Sequence, residues 1–261
     1  MKKLVTYFRY LFEYLKHGDF LSILASIRYI INKTSHKNDR IIQTSIGKFF
    51  CRKNTNDFQF ANFGYEWSVK KFLLDHRKEF TVFIDGGACV GDYSILLSHF
   101  GLRCIAFEPI ESNFRVLTKN LELNQLTKGI AAFQYGLGDT NKMTGFVFDP
   151  INTGASHQSN EPGNADCQGE IRTFDSLLSE LDLDKNERIL FKLDVEGMEA
   201  EAIRGASTFI STFPNITFVL EGKHTGENLI KTALSEIASF EFGIVDEFNI
   251  FATKINSDHL N

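Results

Sequence analysis

The sequence predicts an α/β protein built on a doubly wound, mostly parallel sheet, with a helical extension before it. Three observations carry this. From Thr81 onward, short apolar runs alternate with segments of helical periodicity. The first of these runs enters a glycine-rich turn, VFIDGGACVGDYS. Several predicted strands end on an acid, as expected where a parallel sheet presents its carboxyl edge to a ligand.

Taken in order, residues 3–17 and 20–31 read as two amphipathic helices separated by His17-Gly18-Asp19. Residues 33–60 read as a polar linker containing a hairpin, and residues 63–79 as a helix leading into the core. Strands are expected at 81–85, 103–107, 130–135, 188–194 and 215–221, with helices at about 91–99, 111–123, 174–181, 198–210 and 226–239. Hairpin strands are expected near 144–148. The closing FEFGIVDEFNIFATK predicts two strands with a tight connection, one of them antiparallel. The organisation is a 1–60 extension and a 61–261 core domain.

The chain's 261 residues carry a net charge of −5, which argues against a broad nucleic-acid surface. Charge is uneven: residues 1–40 hold eight Lys/Arg against three Asp/Glu, a net +5, leaving about −10 for the remainder. The four cysteines have no metal-ligand spacing and suit a reducing compartment. No run approaches the ~20 apolar residues of a membrane span, so the expected location is cytoplasmic. Residues 1–31 either pack on the domain or a partner, or lie on an anionic membrane surface.

The turn carries the chemistry. Gly86, Gly87, Ala88 and Gly91 allow the backbone to approach a ligand. The spacing is neither the dinucleotide GxGxxG nor a phosphate-binding loop, and Asp85 would repel a pyrophosphate. Asp85 instead suits a cationic group, and Glu108, ending the next strand, can accept two ribose hydroxyls. Together they point to S-adenosylmethionine. Asp139, in the GLGD turn after the third strand, is placed to meet an adenine amino group.

KLDVEG at 192–197 ends the fourth strand beside the first. Asp194 and Glu196 alternate across Val195, so both face one side if the chain stays extended. With Lys192 they could deprotonate a hydroxyl or hold a divalent metal. Glu221 ends the fifth strand and His224 follows it as a candidate base. Asp194, Glu221 and His224 form a candidate metal set. The long polar stretch at 149–170 offers Asn152, Ser156 and His157 to a sugar, and Glu66 and Trp67 could also line the acceptor pocket.

IDGGACVGDYS, AFEPIESNFRVLTKNLELN, TFDSLL and ILFKLDVEGMEAEAIRGA together resemble the FkbM-type methyltransferases over about residues 63–222. The resemblance implies a Rossmann-like seven-stranded methyltransferase sheet. It implies methyl transfer from S-adenosylmethionine to an oxygen, often a sugar or natural-product hydroxyl. It also implies that Asp85, Gly87, Gly91 and Glu108 hold the cofactor, and that Asp194 and Glu196 line the transfer site. The family often has Asn where this chain has Cys89. The expected acceptor is therefore a small molecule or glycan. The competing readings are a cofactor-binding scaffold without turnover and a nucleotide-dependent oxidoreductase. A nucleic-acid methyltransferase is disfavoured by the acidic core and by the lack of an Asn/Asp-Pro-Pro-Tyr/Phe tetrapeptide after the fourth strand.

Overall fold

The structure, a computed structural model, describes residues 2–159 and 165–255, with side chains from Val5 onward. Two helices open the chain, α1 (Lys2–Lys16) and α2 (Phe20–Asn32). A hairpin follows, β1 (Arg40–Gln43) and β2 (Lys48–Cys51), then a short α3 (Asp57–Phe60) and α4 (Trp67–His76). The core runs β3 (Val82–Gly86), α5 (Asp92–Ser98), β4 (Arg103–Phe107), α6 (Glu111–Leu123) and β5 (Ile130–Phe133). An insertion contributes β6 (Tyr135–Leu137), β7 (Lys142–Val147), β8 (His157–Gln158) and β9 (Cys167–Arg172). The chain then passes through α7 (Phe174–Leu177), β10 (Ile189–Leu193), α8 (Glu199–Arg204), α9 (Ser207–Thr212) and β11 (Ile216–Glu221). It closes with α10 (Glu227–Ser235), β12 (Phe240–Ile244) and β13 (Asn249–Lys254).

Seven strands form the main sheet in the order β12-β13-β11-β10-β3-β4-β5. β13 is antiparallel to both its neighbours, and the other pairings are parallel. The central strands are apolar on both faces because helices cover both, as a parallel sheet requires. Val82, Ile84, Phe191 and Phe218 pack toward α7, α8 and α9. Phe83, Cys104, Leu190 and Val219 face the opposite layer, which holds Leu73, Ile95 and Leu117. That second cluster continues into the extension through Tyr14, Ala25, Phe49 and Phe58. The hairpin is pinned to α6 by asparagine side chains: Asn120 Oδ1 accepts from Phe50 N at 2.7 Å, and Asn124 Oδ1 from Lys48 N at 2.9 Å.

Several expected elements differ in extent. The strand expected over 130–135 divides: Ile130–Phe133 stays in the main sheet, while Tyr135–Leu137 pairs with β9 in a separate four-stranded sheet, order β6-β9-β7-β8. The polar stretch at 149–170 is not a loop throughout, because Cys167–Arg172 forms the strand that pairs with β7. Its Gly169 and Ile171 are buried with a period of two, a signal masked by the polar residues between them. Residues 160–164 of that stretch lie outside the described residues. The helix expected from 63 begins at Trp67, because Glu66 takes a left-handed conformation (φ 46°). The 198–210 helix is interrupted at Gly205-Ala206, and the 226–239 helix ends at Ser235.

Candidate active site

The site sits where β3, β4, β10 and β11 end at the carboxyl edge of the sheet, at the point where chain order reverses. Ligands of doubly wound sheets bind there. Asp85 and Lys192 are direct register partners on β3 and β10. Past the strand ends the backbones still touch: Asp194 N donates to Gly86 O at 3.0 Å, and Gly87 N to Phe107 O at 3.0 Å. Gly87 has φ +89°, and a Cβ added there would fall on the Asp194 carbonyl oxygen. Only glycine meets both demands.

Two adjoining cavities share Gly87, Cys89, Gly154, Asp194 and Glu196. The first, about 50 Å³, is lined by Glu108, Pro109, Ile110, Asn113, Gly136 and Leu137. Glu108 is only 4 % exposed. Its carboxylate accepts from Cys89 N at 3.0 Å and Ile110 N at 2.9 Å. Asn113 Nδ2 donates to it more weakly at 3.5 Å. A carboxylate has about four acceptor positions, so room for a further hydroxyl remains. The second cavity, about 120 Å³, is lined by Tyr65, Glu66, Tyr93, Asn152, Lys192, Asp194, Glu196, Glu221 and Lys223.

Lys192 organises the acids. It is 4 % exposed, its Nζ donates to Asp194 Oδ2 at 2.8 Å, and it lies 4.7 Å from the Tyr93 ring centroid. Tyr93 OH donates to Glu66 Oε2 at 2.6 Å. Asp85, 1 % exposed, accepts from Ser94 Oγ at 2.7 Å, while its Oδ1 is buried without a hydrogen-bond partner. Asp85 lines neither cavity, and its cross-strand partner Lys192 already supplies a positive charge beside it.

Three non-glycine residues here have positive φ: Glu66 (46°), Cys89 (46°) and Glu196 (51°). Such conformations cost about 1–3 kcal/mol each and concentrate at functional sites. Glu196 thus reaches the cavity by a left-handed turn, not by strand pleat, because β10 ends at Leu193. The turn is held by buried Glu199, whose Oε1 accepts from Val195 N at 3.0 Å and Gly197 N at 3.3 Å.

The remaining expected residues divide. Glu66, Asn152 and Glu221 join Asp194 and Glu196 around the second cavity. Ser156 and His157 line the first cavity instead. Asp139 lines neither; it pairs with Arg204 at 3.9 Å. Trp67 lies in a separate groove, 5.5 Å from Phe63 and 5.1 Å from the Arg9 guanidinium. His224 also lines neither cavity, and its Nε2 is 3.2 Å from Glu196 Oε2. The carboxylates that present atoms near His224 are Glu196 and Glu221, all within 4.8 Å of one another. The cluster of possible ligands is therefore Glu196, Glu221 and His224, not the expected set with Asp194, whose Oδ2 is paired with Lys192.

Residues without a local sequence signal complete the floor. Asn113 Nδ2 donates to Thr153 O at 3.1 Å, and Thr153 Oγ1 to Asp57 Oδ1 at 3.0 Å. Asp57 accepts from Arg52, which also reaches Asn113. These contacts bridge up to 96 residues of sequence, and each residue reads as an ordinary polar position on its own.

Burial raises the pKa of Asp85 to about 6 and of Glu108 to about 7, the latter against opposing amide hydrogen bonds. Burial, then the Asp194 charge, raises Glu196 to about 7 and Glu221 to about 8. A carboxyl whose folded pKa lies above its unfolded value binds more protons when folded, so stability falls as pH rises through that window. Buried His36, lowered to about 4, acts in the other direction, but only below its unfolded value of 6.5. The thermal midpoint of the ligand-free protein is therefore expected to fall from pH 6.5 to about 8. Glu221→Gln should flatten that slope, measured by calorimetry across the interval.

Sheet order, glycine turn and acidic strand ends define the class: a Rossmann-like methyltransferase domain. The family described as Methyltransferase FkbM domain matches residues 85–247. The chain belongs to this FkbM-type S-adenosylmethionine-dependent methyltransferase family. It is 25% identical over 143 residues to Methyltransferase 1 of Beauveria bassiana, covering 47% of this chain and 57% of that relative. Among solved structures it is similar to methyltransferase FkbM from Methylobacillus flagellatus, with a TM-score of 0.48 and 17% identity over 76% of this chain and 56% of that one. Magnesium protoporphyrin IX methyltransferase from Synechocystis, with bound S-adenosylmethionine, is 13% identical with a TM-score of 0.43, over 76% and 81% of the two chains. The chain thus spans somewhat over half the length of the first two relatives.

Proposed function

We propose that this protein uses S-adenosylmethionine to methylate a hydroxyl of a sugar, surface glycan or secondary metabolite, and that it acts in the cytoplasm. The observation that carries the reading is the position of Asp194, held by Lys192 where the two cavities meet. When bound, the cofactor supplies a methyl group already activated on a sulfonium. Glu108 would take a ribose hydroxyl. Asp194 would receive the acceptor hydroxyl, orient its oxygen and accept its proton. Glu66, Asn152 and Glu221 would bind the acceptor's other polar groups.

Positioning is the larger contribution, worth about 7–11 kcal/mol in well-oriented systems. A positioned base adds about 10²–10⁴-fold. Glu196, Glu221 and His224 could hold a divalent cation beside the acceptor, so assays are run with magnesium and with EDTA.

The test is calorimetric titration of S-adenosylmethionine, with NAD as control, followed by turnover on a panel of hydroxylated acceptors. Glu108→Ala should weaken cofactor binding by roughly tenfold or more, given hydrogen bonds to charged groups of about 1.5–3 kcal/mol. Asp194→Asn should leave that affinity nearly unchanged and lower kcat by about 10²–10⁴-fold. Binding without turnover on any acceptor would favour the scaffold reading. Binding of NAD alone would favour an oxidoreductase.

A further inference from the structure

We propose that α1 and α2 dock this protein on an anionic lipid bilayer. The two helices bury one stripe, as surface helices ordinarily do, and carry a second apolar stripe outside. Toward the body, Tyr14 and Ala25 enter the core with Tyr10, Ile23 and Tyr29 packed beside them, and polar groups add to the hold. Tyr14 OH donates to Phe58 O at 2.9 Å. The Glu13 carboxylate accepts from Ser45 N at 2.6 Å and Ser45 Oγ at 3.0 Å. Asp19 accepts from Arg40 at 2.8 Å. The apolar residues point outward at helical spacing: Phe8, Phe12 and Leu15 on α1, and Phe20, Ile27 and Ile31 on α2. Phe12 is 68 % exposed and Ile31 76 %. Exposed apolar surface on this scale marks an interaction face.

Charge selects the partner. Between Val5 and Lys33 the exposed charged side chains are Arg9, Lys16, Arg28 and Lys33, all cationic. The two acids of that stretch, Glu13 and Asp19, are buried. The chain as a whole is net −5, so this stretch carries a local cationic excess; Arg9 and Lys16 border the apolar stripe and also reach the body, at the Trp67 ring and Ser45 Oγ. A two-fold pairing of copies through this face would set like charges against one another. An anionic bilayer accepts both the apolar stripes and the cationic rim. Among the described residues no helix is long and apolar enough to cross a membrane, so the helices would lie in the interface. This inference stands independently of the reaction proposed above.

The test is flotation of the full chain with phosphatidylcholine vesicles, with and without equimolar phosphatidylglycerol, at low and high salt. Light scattering is recorded on the same samples without lipid. The expected result is recovery with anionic vesicles roughly tenfold above neutral ones, diminished by salt. Phe8→Glu/Ile31→Glu changes two residues more than three-fifths exposed. It should lose that recovery while keeping the circular dichroism of the parent protein. Equal recovery with neutral and anionic vesicles, or none with either, would overturn the proposal. So would a dimer that the double variant splits without any change in vesicle recovery.

Discussion

Lys192→Met is expected to lower stability at pH 8 by about 3–5 kcal/mol, the usual cost of removing one partner from a buried charge cluster. Methionine nearly preserves the volume, so packing is kept and charge is lost. Lys192 is the buried cation among Asp85, Glu66 and Asp194, and its own pKa is raised by those three acids against the lowering effect of burial. Without it, Asp85 and Glu66 lose the nearest charge that lowers their pKa. Both would then titrate higher, and Asp85, already raised to about 6, would be largely neutral at pH 5. The destabilisation should therefore shrink as pH falls, whereas a packing defect would cost the same at both pH values. Chemical denaturation of parent and variant at pH 5 and pH 8 measures the difference. A loss that does not change with pH would show that Lys192 acts through packing alone.

Gly87→Ala should cost about 2–5 kcal/mol and abolish cofactor binding. A left-handed backbone costs a non-glycine residue about 1–2 kcal/mol, and forced overpacking typically a further 1–3 kcal/mol. The methyl would meet the Asp194 carbonyl oxygen, so β3 and β10 must separate at the point where their ends form the site. Gly101→Ala is the control. Gly101 has φ +90° but open space around it, so the variant should show only the conformational cost. If the two variants unfold at the same temperature, the close approach at Gly87 is not what demands glycine.

Much of the main sheet was readable because its signals are local. An apolar run of three residues opening a short segment, as in VFIDG of β3 and ILFKL of β10, marks a strand buried on both faces. The DGGACVG turn and the acid after β4 sit beside their own strands, so their place at the sheet edge followed from strand order. The second sheet was less legible. β9 alternates weakly, and its role depends on a partner strand, β7, some 20 residues earlier. Trp67 gave no hint that it would turn away from Glu66. That separation follows from the left-handed Glu66, which no residue preference announces.

Local composition and periodicity set the class of sheet, the glycine turn and the acids offered at its edge, because those follow from backbone sterics and side-chain burial over a few residues. The ordering of the acids came only with the folded chain. Lys192 stands between Asp85 and Asp194, Glu199 holds the turn that carries Glu196, and Asp57 and Asn113 support Thr153 beneath the cavity. Such partners lie on different strands and loops, so their roles exist only once the fold has brought them together and excluded water around them.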